Sequence, residues 1–449
     1  MPKPIVAIVG RPNVGKSLLF NRLAGQRLAI VEDTPGVTRD RLYADCDWGN
    51  IPFQLIDTGG IEPHTNSEML KFMRVQAEVA IEHSDVVIFL TDLTTGVTAA
   101  DADIAAMLLR SQKPVVLAVN KADSLGPAPA ELYEFYNLGL GDPMPVSALH
   151  GHGTGDLLDR VVEHFPPQTE EEEEDDGAIR VAIIGKPNTG KSSLLNHLTG
   201  EMRSIVSNMP GTTRDSVDAL VENEYGRFLM VDTAGLRRKA RVDEAVEKYS
   251  VLRALMAIER AHVCVIMIDA EEGVTEQDTK VAGYAHEKGK ASVLAINKWD
   301  LIEKETDTMR KYEEKVQEAF AYMSYAPIVF ISAKTGARVP TLLKAITDGY
   351  EQYNRRITTG ALNDVLNDAT ERVQPPTDRG KRLKIYYITQ VSVAPPTFVL
   401  FVNETALFHY SYKRYIENQL RAVFGFAGTP IRLIVREKGE GNDPSTFAR

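Results

Sequence analysis

Cysteine is almost missing from this 449-residue chain: Cys46 and Cys264 are the only two, and they stand far apart, so no disulfide framework or cysteine-rich metal centre is available. Both read as reduced thiols in or beside a core. Long apolar runs are lacking as well. Each is broken by charge or Gly short of the roughly 20 residues a membrane helix needs, and the opening MPKPIVAIVG runs straight into a strand-like segment without a leader pattern. The expectation is a cytoplasmic protein with no membrane partner. Excess positive charge is absent too. The formal net charge of -11 predicts no general affinity for nucleic acid, but the balance is uneven. From Glu351 onward 14 Lys and Arg face 10 Asp and Glu, which leaves -15 for the residues before it. A polyanionic partner is therefore expected at the C-terminal part.

What is present is a long internal repeat. GRPNVGKSLLFNRLAG (residues 10–25) returns as GKPNTGKSSLLNHLTG (185–200), PGVTRD (35–40) as PGTTRD (210–215), and DTGG (57–60) as DTAG (232–235), each 175 residues later. NKAD (120–123) returns as NKWD (297–300) and SAL (147–149) as SAK (332–334), so the later offsets grow to 177 and 185. A period of this length is a duplicated domain, and the chain is long enough for two or three domains that each bury a core. Seven consecutive acidic residues, Glu170 to Asp176, separate the copies; their mutual repulsion and lack of apolar surface predict an extended tether. The expected division is a first domain at 1–166, a linker at 167–178, a second domain at 179–350 and a third at 351–449.

Within each copy Val- and Ile-rich runs alternate with helix-like stretches, the pattern of strands buried on both faces. The fold class expected is α/β, with a parallel-rich sheet between helices in each copy. The motifs then fall at the C-terminal ends of strands, where open α/β sheets bind ligands.

Two segments fit GxxxxGK followed by Ser, between a strand and a helix, which is a phosphate-binding loop. Gly10, Arg11, Pro12, Asn13, Val14, Gly15, Lys16 and Ser17 form the first, and Gly185, Lys186, Pro187, Asn188, Thr189, Gly190, Lys191 and Ser192 the second. Backbone N–H groups cradle the phosphates, Lys16 and Lys191 reach the β and γ groups, and the Ser17 and Ser192 hydroxyls suit Mg²⁺. Asp57 and Asp232 can anchor the far side of the Mg²⁺ shell. They open Asp57-Thr58-Gly59-Gly60 and Asp232-Thr233-Ala234-Gly235, where Gly60 and Gly235 can turn an N–H to the γ-phosphate. Thr38 and Thr213, each 22 residues after its loop lysine, can add a second hydroxyl to Mg²⁺ when that phosphate is present, as a switch does. Lys16, Thr38, Gly60, Lys191, Thr213 and Gly235 are thus the expected catalytic set.

NKxD after a strand selects guanine. Asp123 and Asp300 can accept from the guanine N1–H and exocyclic amine together, a pair of donors adenine does not present. Asn120 and Asn297 can support the loop and the base N7, and Lys121 and Lys298 can lay their stems along the base. Ser147-Ala148 and Ser332-Ala333 can present the alanine N–H to O6.

The ordered set resembles the translation-factor branch of P-loop GTPases, and the tandem copies with a C-terminal extension resemble the bacterial Der (EngA) family over essentially the whole chain. That resemblance implies GTP/GDP binding, GTP hydrolysis, and a role in assembly of the large ribosomal subunit. Its partners would be rRNA and ribosomal proteins of that subunit or its precursor, and the protein is expected as a monomer. Where Ras-like GTPases carry a water-orienting Gln, this chain has Ile61 and Leu236. The family associates such hydrophobic residues with a K⁺ ion held partly by an Asn of the phosphate loop, the place of Asn13 and Asn188. A loop-stabilising Asn is the alternative.

Residues 351–449 read helix, strand, strand, helix, strand, similar to the KH-like domain that ends the Der family. GFAG (425–428) matches the GxxG of nucleic-acid-clamping KH loops, but it joins a helix to a strand, where Gly is usually a helix cap. RGKRLK (379–384) is the better candidate for RNA contact, with a solvated turn as the alternative. A GTP-dependent phosphotransferase lacks a convergent His, Cys or carboxylate cluster here, and a membrane-associated switch lacks a lipidation motif or amphipathic anchor.

Overall fold

Strands made wholly of apolar residues must be covered on both faces, and the two central sheets meet that demand. In the computed structural model, which describes residues 3–25, 43–57, 78, 84–123, 129–166, 177–201, 218–232, 247–303, 305–378 and 381–437, contacts divide the chain into two compact units. The first is residues 1–174 with 243–252, the second residues 175–242 with 253–449.

In the first unit β1 (Ile5–Val9), α1 (Lys16–Ala24), β2 (Tyr43–Trp48), β3 (Ile51–Asp57), β4 (Val86–Asp92), α2 (Ala99–Ser111), β5 (Val115–Asn120), β6 (Met144–Pro145) and α3 (Thr154–Glu163) follow in order. Their sheet runs β2-β3-β1-β4-β5-β6, parallel except for β2. All seven residues of β4 are buried. Alternate residues feed two layers: Val6 and Ile8 join one core with Phe20 and Phe53, Ala7 and Val9 another with Phe89 and Phe135. Each such buried Phe contributes about 2 kcal/mol relative to exposure.

The second unit repeats the plan with β7 (Ile179–Ile184), α4 (Lys191–Glu201), β8 (Ala219–Asn223), β9 (Gly226–Val231), α5 (Glu247–Arg260) from residue 253 on, β10 (Val263–Asp269), α6 (Glu276–Glu287), β11 (Ala291–Asn297), α7 (Thr308–Ala319), β12 (Ile328–Phe330) and α8 (Val339–Tyr353). Its sheet runs β8-β9-β7-β10-β11-β12, again with only the edge strand β8 antiparallel. Cys264 is buried in β10, and burial pushes its thiol up to about 12; Cys46 is half-buried, raised to about 12 chiefly by burial and then by Asp45. Both are inert at neutral pH.

The edge strands β2 and β8 are additions to the apolar strands expected from the sequence. The first closes on β3 through Gly49-Asn50, both at positive φ (59° and 65°). A two-residue Gly-Asn turn is a hairpin signal that the sequence does carry.

The C-terminal segment is α9 (Thr359–Arg372), β13 (Thr377–Asp378), β14 (Lys381–Arg382), β15 (Ile385–Ser392), β16 (Thr397–Val402), α10 (Tyr410–Phe424) and β17 (Arg432–Glu437). The expected helix-strand-strand-helix-strand order holds, with the small β13-β14 ribbon added. Leu362, Leu366, Ile416 and Leu420 from the helices cover Ile388, Phe398, Leu400 and Leu433 on one face of the β15-β16-β17 sheet. This segment has its own core, yet it is seated on the second nucleotide domain. The GFAG loop makes the seam: Gly428 N donates to Tyr325 O at 2.7 Å, and Gly428 O accepts from Ser292 N at 2.7 Å. Arg421 lies 5.1 Å over the Tyr325 ring. Gly425 (φ 88°) caps α10, so this glycine pair serves a cap and a docking contact.

Candidate guanine-nucleotide sites

Each phosphate loop leaves the C-terminal end of the central strand, β1 or β7, and turns into a helix whose first residue is the loop lysine. The turn needs left-handed backbone at Gly15 (φ 97°) and Gly190 (φ 95°), and also at Asn13 (φ 65°) and Asn188 (φ 63°). Asn tolerates that region better than other side-chain-bearing residues, so the backbone alone gives one reason for Asn here. Both asparagines are exposed at the loop mouth. Lys16 Nζ, buried, donates to Gly10 O and Arg11 O at 2.8 Å each; Lys191 Nζ donates to Gly185 O at 2.7 Å and to Lys186 O. The ammonium therefore closes each loop on itself. Ser17 and Ser192 follow at the helix N-terminus, where aligned N–H groups favour an anion.

Asp57 ends β3, paired in register with Ile8 of β1, and is 2% exposed. Asp232 follows β9 at φ 59°, its N–H donating to Asp218 Oδ1 at 2.9 Å, and Arg260 in turn grips the Asp218 carboxylate. Thr38, Thr58, Gly59, Gly60 and Ile61, with Thr213, Thr233, Ala234, Gly235 and Leu236, lie outside the described residues, as does most of the acidic linker.

At the base-recognition corner the asparagines tie neighbouring turns together. Asn120 Nδ2 donates to Val14 O at 2.7 Å, and Asn120 Oδ1 accepts the Ala148 N–H at 2.9 Å. Asn297 does the same with Thr189 O and the Ala333 N–H, at 2.8 Å each. Each alanine N–H is thereby bonded to the asparagine oxygen of its own copy. Each asparagine, buried, ties the phosphate loop to the Ser-Ala turn. Lys121 and Lys298 are left-handed (φ 67° and 63°), with Nζ 2.6 Å from Asp92 and 2.5 Å from Asp269. Burial acts to raise Asp92, but the Lys121 and Thr94 hydrogen bonds outweigh it and hold the carboxyl below the usual range. Asp123 and Asp300 stay exposed at the site, Asp123 accepting from Ser147 Oγ at 2.5 Å. Beside Asp300 and Ser332 lies a cavity of about 270 Å³, lined also by Trp299, Met309, Phe330 and Arg338.

A sixth repeated motif joins these five. Asp92, Gly96, Val97, Thr98 and Asp101 recur as Asp269, Gly273, Val274, Thr275 and Asp278. Its first Asp holds the NKxD lysine. Its Thr and last Asp make the capping boxes of α2 and α6, and that last Asp reaches the phosphate loop. Arg11 Nε lies 3.4 Å from Asp101, and Lys186 Nζ 3.8 Å from Asp278 and 2.6 Å from Glu272.

Comparison with known proteins agrees with this architecture. Residues 5–121 and 180–298 match the family described as 50S ribosome-binding GTPase, residues 248–352 the elongation factor Tu GTP binding domain, and residues 356–436 the C-terminal KH-domain-like region of EngA bacterial GTPases. GTPase Der of Acetivibrio thermocellus is 58% identical over 438 residues, 98% of this chain and 99% of that protein. GTPase Der of Ruminiclostridium cellulolyticum is 58% identical over 442 residues, 98% and 100% of the two chains. That of Caldicellulosiruptor saccharolyticus is 56% identical over 438 residues, 98% and 99%. Two nucleotide domains on matching sheets, a KH-like end and this similarity along nearly the full length make the chain a GTP-hydrolysing member of the GTPase Der family.

Proposed function

We propose that this chain acts in ribosome biogenesis, with two GTP-hydrolysing domains whose nucleotide state governs binding to the large ribosomal subunit or its precursor. The observation that carries this is duplication: the phosphate loop, the strand-end Asp, NKxD and the Ser-Ala turn occupy the same places on two matching sheets, joined to a third, locally basic segment. The description of the matching family as 50S ribosome-binding supports the choice of particle. The domain limits put forward are 1–166, 167–178, 179–350 and 351–449.

The residues fit a guanine nucleotide with Mg²⁺. A Cβ on Gly10 would meet Leu90 O at 2.2 Å and one on Gly185 would meet Met267 O at 2.5 Å, so the loop backbone is pressed against the sheet, and the N–H groups of such a loop suit a phosphate. Oxygen donors, Ser17 with Asp57 and Ser192 with Asp232, suit a hard cation that keeps much of its shell from water and phosphate. Bound Mg²⁺ supplies charge neutralisation of the phosphates. Lys16 and Lys191 hold the β and γ groups; Asp123 and Asp300 hold the guanine edge. Thr38, Gly60, Thr213 and Gly235 take the switch roles assigned from sequence.

With Ile61 and Leu236 unable to orient water, hydrolysis relies on a monovalent cation, which the exposed Asn13 and Asn188 oxygens help to hold. Turnover is expected to be faster in K⁺ than in Na⁺ at equal ionic strength, and to lose that preference in Asn13→Ala with Asn188→Ala. Equal parental rates in the two salts would return both asparagines to a purely structural role.

Co-sedimentation with purified large subunits is the test of the ribosomal reading, with more binding expected in a GTP analogue than in GDP. Lys381, Arg382 and Lys384 are exposed. Replacing all three by Ala should weaken binding and flatten its salt dependence, because each phosphate neutralised releases counterions, with GTP turnover unchanged. Identical sedimentation in the two nucleotides would refute the switch.

A further inference from the structure

The β15-β16-β17 sheet has helices on one face only, and its opposite face has two unlike ends. At one end Arg432 donates to Glu287 O of the second nucleotide domain at 3.2 Å. At the other, Tyr387, Phe401 and Arg436 lie side by side across the three strands, since Tyr387 pairs with Phe401 and Phe401 with Arg436 in register. None of the three belongs to the core under the helices.

The Tyr387 and Phe401 rings stack at 4.4 Å between centroids, 20° from parallel. Tyr387 is 38% exposed and Tyr386 45%. The ladder is irregular between Ile385 and Tyr387, so that Ile385 pairs on the helix-covered side, Tyr387 pairs on the open side, and Tyr386 is the extra residue. A bulge that re-aims aromatic side chains away from the core is a device found at functional surfaces. Ile434, at 41% exposure, continues the open face.

Charge at this end of the sheet is basic. Lys384 N and Lys384 O bond with Asn403, just past β16, which puts Lys384 beside the aromatic row; Lys381 and Arg382 lie in the adjoining ribbon. The nearby acids are engaged: Glu404 with Lys381 at 3.0 Å, and Glu437 with Thr405 N at 2.9 Å. The Lys381–Glu404 pair is solvent-exposed, hence weak enough for a phosphate to displace.

We propose that this open face is a stacking platform for single-stranded RNA, in which unpaired bases lie on Tyr387 and Phe401 while Arg436, Lys384 and the ribbon take the backbone phosphates. Exposed aromatics on a sheet with flanking cations are the physical requirement for holding splayed bases. The apolar face of a protein partner would not call for the surrounding cations. The proposal deepens the ribosomal reading and rests on it for the source of the RNA. The GFAG loop, used up in the seam, offers no competing nucleic-acid contact in the KH-like segment.

The test uses the full chain and an unstructured oligouridine RNA in fluorescence anisotropy, alongside co-sedimentation with large subunits. Parent protein should bind the RNA. Tyr387→Ala and Phe401→Leu should each weaken it about tenfold or more, the loss expected for one stacked base, and Tyr387→Phe should keep it. GTP turnover and the unfolding midpoint of Tyr387→Ala should match the parent; this rim position carries the test even if Phe401→Leu unfolds. Parental RNA affinity in Tyr387→Ala, or no RNA binding by the parent, overturns the platform. So does a loss of subunit binding with RNA binding intact, which would mark a protein-docking face. RNA binding that follows the substitutions, with no co-sedimentation of the parent, upholds the platform and refutes the ribosomal reading instead.

Discussion

Gly190→Ala is expected to leave the chain with one guanine-nucleotide site instead of two, with affinity at the second domain lowered by at least about 100-fold. Gly190 has φ 95°, and an added Cβ would lie 2.1 Å from Asn297 Nδ2. Left-handed backbone costs an L-residue about 1–2 kcal/mol. The clash is the larger effect. Asn297 must move, and with it go the bonds to Thr189 O and from Ala333 N, both made by a buried side chain; each buried group left unpaired costs about 1–3 kcal/mol. The strain falls where the phosphate loop, the NKxD corner and the Ser-Ala turn are tied together, so the nucleotide loses phosphate and base contacts at once. Gly15→Ala, whose Cβ would be 2.3 Å from Asn120 Nδ2, should do the same to the first domain only. Gly200→Ala is the control, since its Cβ meets nothing within 4 Å; in α4 it should be neutral or stabilise by up to about 1 kcal/mol. Equilibrium titration with a fluorescent guanine nucleotide counts the sites, and two sites of parental affinity in Gly190→Ala would refute this account of the loop.

Asp123→Asn and Asp300→Asn should each exchange the base preference of one site. A carboxylate accepts two hydrogen bonds from the guanine edge; the amide turns one acceptor into a donor that faces the guanine amine. Hydrogen bonds to charged groups contribute about 1.5–3 kcal/mol each, so GTP affinity at the altered site should fall roughly 100-fold. Xanthine carries a carbonyl in place of that amine, and XTP should gain where GTP loses. Competition among GTP, XTP and ATP on each variant measures the exchange. The unaltered domain serves as internal reference, and undiminished GTP binding in either variant would mean that the carboxylate does not read the base.

How much of this was legible beforehand differs by element. The central strands, the phosphate loops and the helices after them follow from local pattern: apolar runs bounded by Gly, then GxxxxGK, then a 3.6-residue repeat. The edge strands β2 and β8 were missed because their residues alternate in burial, and the Gly49-Asn50 turn was passed over. Asp92, Asp101 and their twins Asp269 and Asp278 were missed for another reason. Read singly, such an Asp is an ordinary cap or strand end, and only its recurrence in the second copy marks it out.

By itself the sequence determined the two nucleotide domains, their parallel-rich sheets and the α-β-β-α-β plan of the last segment. These are set by residues close together in the chain and by their repetition. Only the tertiary structure decided what the NKxD residues do with their side chains. Asn120 and Asn297 meet carbonyls 106 and 108 residues away, contacts that no local spacing reveals. It also decided the fate of the two glycines after α10, of which Gly425 caps the helix and Gly428 seats the KH-like segment on the second domain, and the placing of Tyr387 beside Phe401. Strand register brings that pair together, and register is a property of the folded sheet.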